Sequence, residues 1–165
     1  MQTIPTGYHA VTPWIIAKGA AELLDFMQEA FDAKEKPGSR LTNEDGTIAH
    51  VEVEIGDSVV LAFDAKPDWP ETPSFLRLYV QDGDATFERA LGAGATRVTE
   101  MTNLPFGDRV GRVRDPWGNV WWIHQHLEDV TDKQLAERAG EPEAMAAMRY
   151  VQESLDGALT ERDHR

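Results

Sequence analysis

The chain contains no cysteine, so disulfides, thiol nucleophiles and cysteine-built zinc sites are excluded. No apolar run approaches the length of a membrane span. The first residues, MQTIPTGYHAV, lack the basic start and long apolar stretch of a secretory signal. A cytoplasmic protein with no membrane partner is therefore expected. Positive charge is scarce: 16 Lys and Arg stand against 29 Asp and Glu in 165 residues, a formal net charge of −13. No basic phosphate-binding face can be drawn, so nucleic acid is not an expected partner. The acidity modestly favours a cationic ligand, although acidic surface also simply keeps a protein soluble. Apolar residues are plentiful, at 41%, enough for the core of one domain or of two fused halves.

One stretch organises the rest: GDRVGRVRDPWGNVWWIHQH, Gly107 to His126. Two β-prone runs, Arg109–Arg114 and Asn119–His126, flank the turn Asp115-Pro116-Trp117-Gly118. Pro presets φ at the second turn position and Gly is common at the fourth, so the runs read as a hairpin. The second strand carries Trp121, Trp122, His124 and His126.

Upstream, Thr12–Ala17 reads as a strand and Ala20–Ala33 as a helix with a wide apolar stripe. Glu35–Leu41 is an expected strand weakened by Pro37-Gly38. Thr47–Ile55 alternates, with Ile48, Val51, Val53 and Ile55 opposite His50, Glu52 and Glu54. Ser58–Phe63 is the next strand, and Asp64–Pro73, with three prolines, is a linker. The order then restarts: strand Ser74–Val80, helix Asp84–Leu91, strand Thr96–Met101 and the hairpin. Matching segments recur at an offset of about 60 residues, as an internal duplication would produce. From Thr131 the chain turns helical: Thr131 with Gln134 forms a capping box, Gly140 stops that helix, and Pro142 opens another. Met145, Met148, Val151, Leu155 and Leu159 form an expected apolar stripe that must be buried on this chain or on a second copy.

The segments TPWIIAKGAAELLDFMQEAFDA, IAHVEVEIGDSVVLAF, LYVQDGDATFERALGAGAT and GDRVGRVRDPWGNVWW resemble the vicinal oxygen chelate superfamily, in particular its PhnB-like glyoxalase/bleomycin-resistance branch. The resemblance implies an α+β fold: two tandem βαβββ modules, residues 8–64 and 74–127, forming an open mixed-sheet cup with helices outside. Residues 1–130 would form this domain, and residues 131–165 a C-terminal helical extension. It also implies a homodimer and a small-molecule ligand. Members either hold a divalent metal that polarises vicinal oxygens, as glyoxalases and dioxygenases do, or sequester antibiotics in a metal-free aromatic cup.

The family's last metal ligand is a Glu four residues after the Gly of the hairpin turn, where this chain has Trp122. The other ligand positions fall at about Phe75, Thr12 and Val60–Ala62, none of which offers a carboxylate or imidazole. No cofactor is therefore expected. A divalent metal would need a displaced set, His50, Glu52 and His124, with His126 in reserve. Strand alternation turns Trp14, Glu52, Phe75, Arg77, Tyr79, Arg112, Trp122 and His124 into the cup as candidate ligand contacts. Arg109 and Arg112 could hold an anionic group, and Arg77 could pair with Glu52 or Glu54. His50 with Glu52 is the candidate acid–base pair. No nucleophile constellation stands out. Two functions are expected in competition: a metal-free binder of a planar or cationic compound, as in bleomycin resistance, or a lyase, isomerase or oxygenase using the displaced metal or His50.

Overall fold

A computed structural model describes residues 3–160. The first module comprises β1 (Trp14–Ala17), α1 (Ala20–Phe31), β2 (Lys34–Glu35), β3 (Leu41–Thr42), β4 (Ile48–Ile55) and β5 (Ser58–Asp64). The second comprises β6 (Phe75–Tyr79), α2 (Gly83–Gly92), β7 (Thr96–Asn103), β8 (Asp108–Arg114) and β9 (Val120–His126). Then follow α3 (Asp132–Ala139) and α4 (Pro142–Thr160). The sheets run β1-β5-β4-β2, with β3 also pairing β4, and β6-β9-β8-β7. In each module the first strand lies parallel to the last, so the duplication read from the sequence is a duplication of topology. The result is two βαβββ modules with mixed sheets, helices on one side and an open cup, plus a helical extension.

Alternation decides the faces. Ile15, Val51, Val53, Val60, Ala62, Val113, Trp121 and Ile123 join the apolar sides of α1 and α2 in one core shared by both modules. Trp121 is fully buried, with its ring centroid 4.6 Å from that of Phe31. Fully burying a side chain of this size contributes on the order of 3 kcal/mol.

Each helix is anchored by the end of its module's last strand. Gly19 has no side chain to cap α1, and Asp64 does it instead: its Oδ1 accepts from Gly19 N and Ala20 N at 2.9 Å. Its Oδ2 accepts from Ile48 N at 2.7 Å. At α2, Gln125 Oε1 accepts from Gly83 N at 3.0 Å, and Asp82 caps Ala85 N.

The hairpin turn is a fastener. The Asp115 backbone carbonyl accepts from Gly118 N. Its carboxylate accepts from Trp117 N, Asn119 N, Asn119 Nδ2 and Trp121 Nε1, all within 3.0 Å. Asn119 Oδ1 accepts from Ser74 N at 2.8 Å, tying the turn to the start of β6.

Two expectations change. The strand expected over Glu35–Leu41 exists only as β2 and β3, because the chain turns at Pro37-Gly38, where Gly38 has φ 76° and Ser39 N bonds Lys36 O. The capping box and the Gly140 stop form as expected, but the expected stripe of α4 is only partly covered. Met145 and Met148 stay exposed, Leu155 and Leu159 are half-buried and Val151 is buried, while Ala144, Ala147, Ser154 and Ala158 also turn inward. The surface beneath belongs to the second sheet of the same chain and is mixed: Leu104, Val110, Phe106 and Trp122 pack with Val151 and Ala147, beside the polar Thr99, Arg112 and Arg114. Small helix residues let the backbone approach, so Arg112 Nη1 donates to Val151 O at 2.6 Å and Arg114 Nη2 donates to Ala158 O. Thr99 Oγ1 meets Ser154 Oγ at 2.7 Å, and Tyr150 Oη accepts from Glu100 N at 2.8 Å. Among the described residues no helix is long and apolar enough to cross a membrane.

Candidate functional site

The faces turned away from the core carry the candidate site. On the first sheet, Trp14 is 59% exposed and meets Phe63 edge-on at 5.7 Å. Glu52 and His50 share this face, with His50 Nε2 3.6 Å from Glu52 Oε1. Glu52 is already committed elsewhere: it accepts from the Tyr8 hydroxyl and pairs with Lys36 Nζ at 3.0 Å. The Tyr8 and Lys36 hydrogen bonds hold its carboxyl below the ordinary carboxylate range despite some desolvation. Lys36 also sits 4.2 Å from the centroid of the Tyr8 ring. Tyr8 and Lys36 carry no motif, and the sequence reading had no signal that would place them against Glu52.

On the second sheet, cross-strand register aligns Arg77, Trp122 and Arg112 in one row, and Tyr79, His124 and Val110 in the next. Trp122 is flanked by two guanidinium groups, Arg112 at 4.1 Å and Arg77 at 4.5 Å from its ring centroid. Arg112 is buried and donates to Thr99 Oγ1 and Val151 O, both neutral. Burial, and then the neighbouring Arg77 charge, push its pKa below the ordinary guanidinium value. Arg77 makes no ion pair among the described residues, so the expected pairing with Glu52 or Glu54 does not form. Arg109 turns away from this face and clasps Asp84 with two 2.7 Å bonds. Phe75 and Tyr79 stand either side of Arg77 on β6 and are 59% and 61% exposed.

At the end of this face sits a centre the sequence reading did not find. Asp108 accepts from His124 Nδ1 at 2.9 Å, His126 Nδ1 at 2.8 Å and the Tyr79 hydroxyl at 3.3 Å. Desolvation pushes the Asp108 carboxyl up, but these three donors outweigh it and leave the carboxyl below its ordinary value. With Asp108 ionised, both Nδ1 atoms carry protons, and neutral His124 presents a bare Nε2. That Nε2 is buried without a hydrogen-bond partner, as is Trp122 Nε1 beside it; the two ring centroids are 4.5 Å apart. Burial lowers the His124 pKa against the pull of Asp108, while Asp108 and then Asp129 raise that of His126. Asp108 was legible only as the residue before Arg109. Its pairing with His126 and His124 is set by hairpin register.

The displaced metal set is not assembled. His50 and Glu52 lie on β4 in the first sheet and His124 on β9 in the second. Among the described residues no three His, Asp or Glu side chains are grouped to hold a metal ion. The donor chemistry does not fit either: Trp122 stands between two cations, and the oxygens of Asp108 are taken up by two imidazoles and a phenol. A cleft of about 1020 Å³ lies between the modules along β6, with Arg77, Tyr79, Leu76, Leu78, Phe31 and Glu54 on its walls.

Comparison with known proteins agrees with this fold. The family model described as Glyoxalase/Bleomycin resistance protein/Dioxygenase superfamily matches residues 8–123. An uncharacterized protein of Mycobacterium bovis is 36% identical over 132 residues, covering 73% of this chain and 86% of the relative. An uncharacterized Mycobacterium tuberculosis protein is also 36% identical, covering 73% and 76%. Among solved structures, TioX from Micromonospora sp. ML1 superimposes with TM-score 0.55 at 23% identity, over 72% of this chain and 100% of that one. The fosfomycin resistance protein FosX from Listeria monocytogenes does so with TM-score 0.59 at 14% identity, over 77% and 97%. At these identities the two structures share the fold with this chain.

Proposed function

Since this chain belongs to the glyoxalase/bleomycin resistance protein/dioxygenase superfamily, we propose that it binds a planar small molecule on the open face of its second sheet, without metal and without turnover, as the sequestering members do. The observation that carries this reading is the exposure of Phe75 and Tyr79 beside the Arg77–Trp122–Arg112 row. Folding gains little from leaving large aromatic faces in water, and a flat ligand laid on them would gain about 0.5–1.5 kcal/mol per ring beyond area burial. Of the two ligand classes expected, planar is favoured over cationic, because the wall itself is cationic. The sequence segments favour the PhnB-like branch. A cytoplasmic homodimer is the matching assembly: exposed Trp14, Met145 and Met148 leave apolar surface outside the ligand face for a second copy to cover. Antibiotic resistance is the biological role that sequestration would serve.

Tryptophan fluorescence titrated with a panel of planar compounds, followed by chromatography of each compound after overnight incubation, tests the reading. Saturable quenching with the compound recovered unchanged is expected. A panel that leaves fluorescence untouched contradicts it.

His124 favours a second reading. An imidazole oriented by a carboxylate, with a bare Nε2, is the arrangement of a general base. This would replace His50, whose Glu52 partner is committed to Lys36 and Tyr8. Conversion of any panel compound, lost in His124→Gln and retained in His50→Gln, would select it.

A further inference from the structure

The second sheet's open face is rich in donors and poor in acceptors. In a chain of net charge −13, carboxylates find most positive groups easily. Arg40, Arg89, Arg97, Arg109 and Arg138 each pair with an Asp or Glu. Arg77 and Arg112 have no such partner among the described residues, although they are placed side by side across Trp122. Two like charges in one row repel. One of them, Arg112, is 6% exposed and meets only a hydroxyl and a backbone carbonyl. A buried cation without a counter-charge is costly. Between them, Trp122 Nε1 is a further buried donor with no acceptor.

We propose that the Arg77–Trp122–Arg112 row is an anion-binding platform and that the ligand of this face is a planar aromatic carboxylate. The carboxylate is clasped by the exposed Arg77 guanidinium, whose planar fork suits it, and is drawn further by the nearby charge of buried Arg112. The aromatic body lies along β6 on Phe75 and Tyr79, the exposed neighbours of Arg77 on the same side of the strand. Both guanidinium groups already lie against the Trp122 ring, 4.1 and 4.5 Å from its centroid, so the ligand stacks on Phe75 and Tyr79 and not on Trp122. Binding removes the repulsion between the arginines, and this makes the anion the preferred form of an otherwise identical flat molecule.

The inference rests on the reading that this face binds a small molecule, and one experiment separates the two. Calorimetric titration compares 2-naphthoate with its neutral amide and with 2-naphthylmethylammonium, using the full chain at low and high NaCl. Naphthoate should bind at least about tenfold more tightly than the amide and weaken as salt rises. Arg77→Gln should remove that preference and Arg77→Lys should keep part of it. Arg77 is exposed and holds no other residue through a hydrogen bond, so these variants are expected to fold, whereas Arg112→Gln would also loosen α4. If the amide or the ammonium compound binds as well as naphthoate, or if Arg77→Gln leaves the preference intact, the anion platform is overturned while small-molecule binding stands. If none of the three binds, both fall.

Discussion

At the scale of single residues, Asp108 is the most consequential group on the open face, because one carboxylate sets two imidazoles apart. His126 gains a partner and titrates above its ordinary 6.5, while burial makes His124 titrate below it. The linkage signs follow. The His126 contribution is fully present below 6.5 and is lost as pH rises through its raised folded pKa. His124 folds neutral, so its penalty grows as pH falls below 6.5. Asp108, depressed in the folded state, stabilises above 3.8 and ceases to do so as pH falls through its folded value. His126→Ala should therefore cost most stability below 6.5 and progressively less as pH rises through the raised folded value, read as the gap in urea midpoints between variant and parent. A gap that widens with rising pH would contradict the assignment of His126 to Asp108. None of this was legible from Asp108-Arg109 in the sequence. A neighbouring Arg is the obvious partner for an Asp, yet alternation sends the two to opposite faces and Arg109 pairs with Asp84 instead.

At the scale of elements, the hairpin was readable and the last helix only half so. The alternation of Trp121 and Trp122 follows from a period of two, and the structure puts Trp121 in the core and Trp122 on the open face, as expected. The turn was readable as a turn, but its role as a fastener was not, since Ser74 and Trp121 reach it only after folding. Asp115 accepts four hydrogen bonds from its own hairpin, so Asp115→Ala should cost on the order of 3 kcal/mol by leaving the buried Trp121 and Asn119 donors unpaired. Chemical denaturation measures it, and a loss under about 0.5 kcal/mol would show that water replaces the carboxylate. For α4, periodicity located the helix and the C-terminal part of its covered stripe, Val151, Leu155 and Leu159, but not the exposure of Met145 and Met148. The opposing surface mixes Leu104, Val110, Phe106 and Trp122 with the polar Thr99, Arg112 and Arg114, so small and polar helix residues share the contact. A helix held by a few polar bonds and a small apolar contact through Ala147 and Val151 is expected to open before the main core. Its amides should exchange with deuterium well before those of β8 and β9. Equal protection would show α4 to be part of the core.

At the scale of the whole molecule, the repeat made the architecture accessible, because both modules repeat one order of elements around one shared core. The site was accessible only as a list of inward positions. Alternation brought Arg77, Arg112, Trp122, Tyr79 and His124 to one face correctly, yet which of them would be paired depended on residues far away in the chain. Lys36 and Tyr8 take Glu52, and α4 takes one edge of Arg112. The outcome is a divided cup: Glu52 on the first sheet is paired with Lys36, whereas Arg77 and Arg112 on the second have no carboxylate partner among the described residues and stand beside exposed Phe75 and Tyr79.

The most direct test is a nitrogen–proton spectrum of the indole region, recorded during titration with 2-naphthoate. The five tryptophans report separately on the relevant places. Trp122 lies in the arginine row, Trp121 is bonded to Asp115 inside the core, and Trp117 is bonded to Lys18 O at the module junction. A ligand on the open face of the second sheet should move the Trp122 signal and leave Trp121 and Trp117 in place. Movement confined to Trp117 and Trp69, which line the smaller cleft between the modules, would put the ligand there and contradict the account.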